Sequence, residues 1–322
     1  MPETTDLPPA LIVAGPTASG KSALALGLAE RLRGTVVNAD SMQVYRELRV
    51  LSARPSREEE ARVPHALYGV RPAAEPGHVA WWRGAALAAM LACVAQRRLP
   101  ILCGGSGLYL AALTDGLSAI PDPTPAARRE ARGLLDELGA AGLHARLAEV
   151  DTAAAARLRP SDGQRIARAW EVWRSTGRSL AAWQDRRGDP APFRFAAILL
   201  DPPRATQRPV IARRFGAMLA EGALEEVRAL LALGLDPRIP AMRAVGVREL
   251  AAHLRGQATM AEAAARAVLA TGRLAKRQAT WFRHHALAPP GRACTICASN
   301  PDMQQFSERI SANLSSFVRG AG

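Results

Sequence analysis

A glycine-rich octapeptide near the amino terminus has residue types that can hold phosphate groups. Residues 15–22 read Gly-Pro-Thr-Ala-Ser-Gly-Lys-Ser, the G-x-x-x-x-G-K-S pattern of a phosphate-binding loop. Glycines let the backbone turn so that successive N–H groups converge on phosphate oxygens, Lys21 adds a positive charge, and the Ser22 hydroxyl stands where such loops ligate Mg²⁺. The pattern predicts a diphosphate site built by Gly15, Pro16, Thr17, Ala18, Ser19, Gly20, Lys21 and Ser22.

Two further loops carry polar residues after apolar runs. Asp40 follows residues 35–39, and Ser106 lies in a glycine-rich turn that follows residues 99–103. If both runs are strands of a parallel sheet, the two loops meet at its carboxyl edge, beside the phosphate-binding loop. Asp40 can then hold the water shell of a metal or take a proton from an acceptor, unless it or Ser41 only caps a helix. Ser106 can hydrogen-bond a ligand, although capping the next helix is an equally ordinary use of serine.

The apolar pattern predicts the elements that position these loops. Residues 11–14, 35–39, 99–103 and 193–200 read as buried strands, and the leucine spacing in residues 23–32 is that of a helix. Prolines break the chain after Gly116, and the segment up to about residue 187 is helical in character. We therefore predict an α/β fold in which helices flank a P-loop NTPase-like parallel sheet core with an inserted all-helical domain. The predicted ranges are 1–120 and 195–290 for the core, 121–194 for the insertion, and 291–322 for a partly disordered tail.

Composition excludes several classes of protein. The 322 residues are 48% hydrophobic, enough for a substantial core, yet no apolar run is long enough to span a bilayer. No basic residue precedes Leu11, unlike a signal peptide, so a cytoplasmic protein is expected. The four cysteines are too few and too irregular for a disulfide framework. We interpret Cys294 and Cys297 as an incidental pair in a loose tail, because half of a zinc site does not bind zinc.

Positive charge is concentrated towards the carboxyl terminus. The net charge is +13, and residues 204–322 alone contain 17 basic and 8 acidic side chains. Such an excess favours a polyanion as partner, although a genome rich in arginine codons would produce the same composition. Arg165 and Arg168 share a helix face that suits RNA phosphates, unless they pair with Asp162 and Glu171.

Together these segments resemble the tRNA dimethylallyltransferase family, also called tRNA isopentenyltransferases. The resemblance rests first on GPTASGKS at 15–22, ADSMQVYR at 39–46 and GGSGLYLAAL at 104–113. It extends over about residues 10 to 285 through five further matches, at Val63–His65, Gln164–Val172, Arg214–Leu219, Arg243–Arg248 and Leu274–Phe282.

The resemblance implies a chemistry for the three loops. Family members bind dimethylallyl diphosphate and Mg²⁺ at the phosphate-binding loop, which would place Ser22 on the metal. The aspartate that matches Asp40 is the family's base, and it takes a proton from the exocyclic amine of an adenosine as that amine attacks the dimethylallyl carbon. Lys21 and Arg214 would neutralise the departing diphosphate. Ser106 stands where the family usually has threonine and would keep the catalytic hydroxyl.

Three positions need a choice or depart from the family pattern. Arg214, and not its neighbour Arg213, matches the family's phosphate-contacting arginine by its spacing to Phe215. Val210 stands where members often carry a further arginine, which puts one auxiliary phosphate or structural contact in question. Asp201 ends an apolar run as a metal-binding carboxylate of a P-loop enzyme would, but family members often lack an acid there, and we assign it no metal.

The resemblance also implies how RNA is bound. The anticodon arm of tRNA would be clamped between the inserted domain and the basic part of the core, and the adenosine on the 3′ side of the anticodon would flip towards Asp40. Gln43 matches a position that family members use to read the flipped base. The resemblance also implies that the protein is a monomer. The residues expected to contact tRNA are Asp40, Ser41, Met42, Gln43, Gln164, Arg165, Ile166, Ala167, Arg168, Arg243, Arg248, Arg273, Lys276 and Arg277.

The phosphate-binding loop alone leaves two other classes of protein open. A small-molecule or nucleoside kinase would share the loop and the sheet but would transfer phosphate from ATP. A non-catalytic RNA-binding protein could use a nucleotide as a structural ligand. The first alternative predicts ATP turnover, and the second predicts tight RNA binding without a product.

Overall fold

Six parallel strands form a sheet in the described part of the protein. The structure is a computed structural model and describes residues 7–186, 188–297 and 317. The strands are β1 (Pro9–Ala14), β2 (Gly34–Asn38), β3 (His65–Ala66), β4 (Leu99–Gly104), β5 (Arg194–Leu200) and β6 (Ala293–Ile296). They pair in the order β3-β2-β4-β1-β5-β6, each in parallel with its neighbours. The predicted parallel α/β fold is confirmed, and the carboxyl ends of the strands share one edge.

The last strand corrects one prediction. Residues 293–296 pair with β5 from Ala197↔Ala293 to Leu200↔Ile296, so the chain beyond residue 290 does not begin as an irregular tail. Cys294 lies in this strand, and the interpretation of the cysteine pair as part of a loose tail is wrong at that residue. Only Ile296 is buried in the strand, so backbone pairing rather than an apolar pattern creates it. The remainder of the predicted tail, apart from Phe317, lies outside the described residues.

Twelve α-helices and one short 3-10 helix occur in the described part of the chain. In chain order the α-helices are α1 (Lys21–Arg31), α2 (Arg57–Arg62), α3 (Val79–Ala95), α4 (Gly107–Thr114), α5 (Pro125–Val150), α6 (Thr152–Ala156), α7 (Gly163–Thr176), α8 (Leu180–Gln184), α9 (Arg204–Ala220), α10 (Ala223–Ala232), α11 (Val247–Leu254) and α12 (Met260–Arg283), and the 3-10 helix is Ala241–Arg243. Within this range, none of the helices is both long enough and apolar enough to cross a membrane.

The sheet is buried on both faces, which explains why its strands are almost entirely apolar. Successive residues of a strand point to opposite faces. Leu11 and Val13 pack in a cluster with Leu24 and Leu28 of α1, whereas Ile12 packs on the other face with a second cluster that contains Trp82. Both faces are therefore fixed by helices, and the loops at the carboxyl edge start from rigid strand ends.

The chain folds into two compact units. The first comprises residues 1–114 and 191–322 and contains the sheet, and the second comprises residues 115–190, close to the predicted insertion at 121–194. The second unit is helical, from α5 to α8, and has its own core. That core includes Leu143, Leu147, Ile166 and Trp170, each no more than 7% exposed.

Two glycines bring the ends of the second unit together. A Cβ atom on Gly116 would lie 1.8 Å from the carbonyl oxygen of Gly188, and one on Gly188 would lie 2.4 Å from the carbonyl oxygen of Leu117. Gly116 also has a φ of 85°, which favours glycine. The segments that enter and leave the unit can approach this closely only because neither residue has a side chain.

Candidate functional site

The phosphate-binding loop wraps the start of α1. Gly20 precedes this helix in a left-handed conformation, with a φ of 89°, and Gly15 lies so close to β5 that a Cβ atom would be 2.6 Å from the Leu200 carbonyl oxygen. Both glycines are thus required by the backbone. The first N–H groups of a helix lack partners within it, so this loop presents donors suited to an anion.

Lys21 is a buried cation inside this loop. It is 9% exposed, and its Nζ donates to the Pro16 carbonyl oxygen at 3.3 Å. Burial lowers the pKa of the Lys21 ammonium below its ordinary value, whereas Cys103 and Asp40 act to raise it and Arg214 acts to lower it. The described residues provide no salt bridge to Lys21 within 4 Å, so a bound anion would relieve the cost of burying its charge.

The Asp40 loop is held in shape by its own backbone and by Asn38. The Asp40 carboxylate accepts from the Met42 N–H at 2.9 Å, and the Asn38 amide donates to the carbonyl oxygens of Asp40 at 3.0 Å and Leu67 at 3.1 Å. The Asp40 backbone N–H returns a bond to Asn38 Oδ1 at 2.8 Å. These bonds leave one oxygen of a half-buried carboxylate, Oδ2, without a described hydrogen bond, next to the carboxyl edge of the sheet.

Ser106 joins the third loop to the second. Its Oγ accepts from the Ser41 N–H at 2.9 Å and donates to Ser41 Oγ at 3.2 Å. The two loops touch directly, because a Cβ atom on Gly104 would lie 2.1 Å from the carbonyl carbon of Ala39. The predicted adjacency of the Asp40 and Ser106 loops is therefore present, and the Ser106 hydroxyl links them.

Arg214 reaches the same site from α9. It is half-buried while Arg213 is exposed. Burial lowers the pKa of the Arg214 guanidinium, and the charge of Asp40 acts to raise it. Lys21, Asp40 and Arg214 thus influence one another electrostatically. Together with Ser106 they are the four predicted catalytic residues, and the structure places all four at one end of the sheet.

The donors near the loop suit a magnesium ion that arrives with phosphates. No group of three His, Cys, Asp or Glu side chains gathers as a metal site within the described residues. Mg²⁺ does not need one, since it retains several waters and typically takes one or two protein oxygens together with substrate phosphates. The Ser22 hydroxyl hydrogen-bonds with the Cys103 thiol, and the charge of Asp40 acts on the same thiol, so these two side chains offer oxygen donors near the loop.

Residues 67–71 support the Asp40 loop, a role that sequence reasoning did not assign. The Gly69 and Arg71 N–H groups donate to the carbonyl oxygens of Gln43 and Val44 at 2.9 Å each. The Gln43 side-chain amide meanwhile donates to the carbonyl oxygens of Ser52 and Ala53, both at 2.9 Å. Gln43 is therefore engaged with the backbone behind its loop in this structure.

A basic cleft lies between α9 and α12. Arg273 and Lys276, both expected to bind RNA, line a cleft of about 480 Å³ together with Arg204 and Arg208, which sequence reasoning missed. None of these four side chains has an ion-pair partner within 4 Å among the described residues. Arg243, Arg248 and Arg277 are exposed elsewhere on the first unit.

The arginines of the second unit carry local ion pairs. Arg165 pairs with Asp162 and Arg168 pairs with Glu171, each at 3.5 Å and three residues apart on α7. The ion-paired alternative considered for these residues is thus the arrangement in the structure, and pairs as exposed as these are weak. On the same helix Gln164 is exposed and Ala167 half-buried, while the Ile166 side chain is buried in the unit's core.

A parallel sheet with this loop at its carboxyl edge defines a P-loop protein of the α/β class. A sequence model of the IPP transferase family matches residues 43–285, and a model described as isopentenyl transferase matches residues 9–68. The chain belongs to the IPP transferase family, and the resemblance read from its motifs is confirmed.

Named relatives align with nearly the whole chain. The tRNA dimethylallyltransferase of Granulibacter bethesdensis is 59% identical over 96% of this chain and 98% of its own length. That of Gluconobacter oxydans is 61% identical over 89% of this chain and 86% of its own. These relatives identify the family as one of prenyl-transferring enzymes.

Solved structures show the same fold. The full-length tRNA isopentenylpyrophosphate transferase of Bacillus halodurans superposes with a TM-score of 0.69 at 28% identity and covers 97% of each chain. A eukaryotic dimethylallyltransferase acting on tRNA superposes with a TM-score of 0.81 over 98% of this chain and 80% of its own. That second likeness, at 22% identity, concerns the fold alone.

Proposed function

We propose that the protein transfers the dimethylallyl group of dimethylallyl diphosphate to the N6 amine of the adenosine 3′-adjacent to the anticodon in tRNA, releasing diphosphate. The observation that carries the proposal is a carboxylate, Asp40, held beside a phosphate-binding loop whose lysine is buried and has no salt bridge among the described residues. The names of the relatives that cover almost all of the chain support the same reaction.

Asp40 is proposed as the base. An aromatic amine is a weak nucleophile and gains from losing its proton as the new C–N bond forms. The amine nitrogen attacks the allylic carbon, the C–O bond to diphosphate breaks with its electron pair going to oxygen, and the amine proton passes to the Asp40 carboxylate. Asn38 and Met42 orient this carboxylate through the hydrogen bonds of its loop.

Lys21 and Arg214 are proposed to stabilise the leaving group. Negative charge grows on the departing diphosphate. The buried Lys21 and the half-buried Arg214 act on this charge more strongly than they would in water. Ser106 is proposed to position the Asp40 loop through Ser41. Mg²⁺ is proposed as cofactor, held by Ser22 and the phosphates with Asp40 near its waters, where it would neutralise phosphate charge.

Transfer RNA is the proposed macromolecular partner, and its anticodon stem-loop is the proposed binding region. Within the first unit, the basic cleft offers phosphate contacts from Arg204, Arg208, Arg273 and Lys276. Within the second, Arg165 and Arg168 can exchange their weak ion pairs for phosphates. We further propose that the enzyme acts as a monomer in the cytoplasm, where its RNA substrate is found.

One assay tests the reaction. The protein is incubated with labelled dimethylallyl diphosphate, Mg²⁺ and unmodified tRNA, and label is sought in the RNA, with a tRNA carrying guanosine at the target position as the control. We expect label only in the adenosine RNA. Absence of transfer together with ATP-dependent phosphorylation of an acceptor would favour a kinase, and tight RNA binding without any product would favour a non-catalytic RNA-binding protein.

A further inference from the structure

The side chain of Gln278 connects two loops of the site. Its Oε1 accepts from the Thr17 N–H at 2.9 Å, and its Nε2 donates to the Gly105 carbonyl oxygen at 3.0 Å. Thr17 belongs to the phosphate-binding loop, and Gly105 precedes Ser106. One amide of α12 therefore spans the loops that follow β1 and β4.

The third loop is shaped to receive this helix. A Cβ atom on Gly105 would lie 2.2 Å from Gln278 Nε2, and one on Gly107 would lie 2.1 Å from the Trp281 ring. A side chain at Gly105 would displace the Gln278 carboxamide, and one at Gly107 would clash with the Trp281 ring. The close approach makes the Gln278 bonds part of a fitted contact rather than a chance encounter of surface groups.

We infer that Gln278 is a positioning residue that fixes the phosphate-binding loop relative to the Ser106 loop and links both to the RNA-facing helix. A carboxamide offers an acceptor and a donor side by side, so it satisfies both loops at once. The inference rests on the proposed function only in stating that α12 faces RNA.

The connection continues to the proposed base. Gly105 is followed by Ser106, whose hydroxyl bonds to Ser41, the neighbour of Asp40. On α12, Arg273, Lys276 and Arg277 precede Gln278 and are exposed. The helix that carries these cations is therefore hydrogen-bonded to the phosphate-binding loop through Gln278. It is connected to the proposed base through Gly105, Ser106 and Ser41.

Two substitutions separate positioning from mere packing. Gln278→Met keeps the length of the side chain but removes both hydrogen bonds. Gln278→Glu keeps the Thr17 acceptor when ionised and regains a donor for Gly105 when protonated, because a neutral carboxyl group has one O–H and one free oxygen. Gln257→Met, at an exposed glutamine outside the site, is the matched control.

Binding of inorganic diphosphate with Mg²⁺ is measured first by calorimetry, because it does not depend on transfer. We expect Gln278→Met to weaken diphosphate binding about 10-fold or more, the effect of losing two hydrogen bonds, with tRNA affinity within about twofold. Gln257→Met should match the unaltered protein. Unchanged diphosphate affinity in Gln278→Met would overturn the inference, as would an equal loss of tRNA binding.

The pH dependence of transfer is the second readout. We expect kcat/KM of Gln278→Glu, divided by that of the unaltered protein, to rise as the pH falls from 8 to 6, while the same ratio for Gln278→Met stays flat. A flat ratio for both variants would contradict the inference. If the unaltered protein transfers no label, the proposed reaction fails, and the diphosphate measurement still decides the role of Gln278.

Discussion

At the scale of single residues, the site combines a buried cation with a carboxylate and an arginine. Lys21 has lost most of its water without gaining a carboxylate within salt-bridge distance among the described residues, and Asp40 and Arg214 act on its charge from nearby. Such an arrangement is incomplete without an anion. It is therefore better suited to receive an anion than to stabilise the free protein.

Asp40→Asn tests the base. The asparagine oxygen can still accept from the Met42 N–H, so the loop should keep its shape, but the side chain can no longer take a proton. We expect transfer to fall by about 10²- to 10⁴-fold, with tRNA binding within a few-fold, measured by single-turnover kinetics and filter binding.

Asp201→Asn is the matched control for that experiment. Asp201 also follows a strand, but it pairs with Arg283 at 3.3 Å and is assigned no part in the chemistry. Its transfer rate should stay close to that of the unaltered protein. Retained turnover in Asp40→Asn would remove Asp40 from the role of base.

Lys21→Met should separate stability from ligand binding. The pKa of Lys21 in the folded protein lies below its ordinary value of 10.5. Between these two pKa values the unfolded chain binds more protons than the folded protein, so stability rises with pH there. Below both values the buried charge lowers the stability of the folded protein most. We expect a higher melting temperature for the ligand-free variant at pH 7, a smaller difference towards pH 10, and diphosphate affinity reduced by about 10- to 100-fold. A lower melting temperature with unchanged affinity would contradict this.

Sequence reasoning predicted the loops of the candidate site but not the links between them. The phosphate-binding loop can be predicted from the sequence because its residues are contiguous and each has a physical purpose. Gln278 carried no such signal, because the hydrogen bond from Thr17 joins residues 261 positions apart. Arg204 and Arg208 were missed for the same reason, since they become part of a cleft only when α9 packs beside α12.

At the scale of elements, burial decided which strands could be predicted. β1, β2, β4 and β5 are nearly all buried and read as apolar runs. β3 has two half-buried residues and β6 only one buried residue of four, so neither produces an apolar run. Their strand structure comes from pairing with an existing edge, information that is absent from the local sequence.

The α9–α12 cleft yields a prediction at this scale. Each phosphate contact that is lost should make the salt dependence of RNA binding shallower by about 0.7–0.9 in the slope of log K against log salt. Replacing Arg204 and Arg208 by alanine should reduce the slope by up to about twice that amount and weaken tRNA binding, measured by titration at several salt concentrations. Arg57→Ala with Arg228→Ala, on α2 and α10, is the control of equal charge. Equal slopes for the two double variants would show that Arg204 and Arg208 act only through their net charge and not through contacts in the cleft.

At the scale of the whole molecule, two units with separate cores each present arginines. The predicted insertion is recognisable in the structure as residues 115–190, because prolines and a change from strand to helix pattern mark its start. The sequence could not show that Gly116 and Gly188 pass each other at its base, since their contact depends on the folded backbone.

If both units bind one RNA, their contributions to affinity should add. Arg165→Ala with Arg168→Ala should weaken tRNA binding and reduce the salt slope, and combining them with the α9 double variant should give the sum of the two losses, because the sites share no partners. The measurement is the same salt titration on all four proteins. An unchanged slope in the Arg165 and Arg168 variant would leave these residues as ion pairs of the helix surface.

The buried thiol behind the phosphate-binding loop provides a natural probe of that loop's motion. Burial raises the pKa of Cys103 to about 11, against the effect of Lys21 and a hydrogen bond with Ser22, so at pH 7 about one side chain in 10,000 is the reactive thiolate. An alkylating reagent should modify the exposed Cys294 and Cys297 first, and Cys103 only when the loop parts from β4. Diphosphate should slow alkylation of Cys103 more than that of Cys93, a buried thiol on α3, and peptide mass spectrometry would follow each cysteine. Equal protection of both thiols would indicate general tightening of the protein instead of closure at the loop.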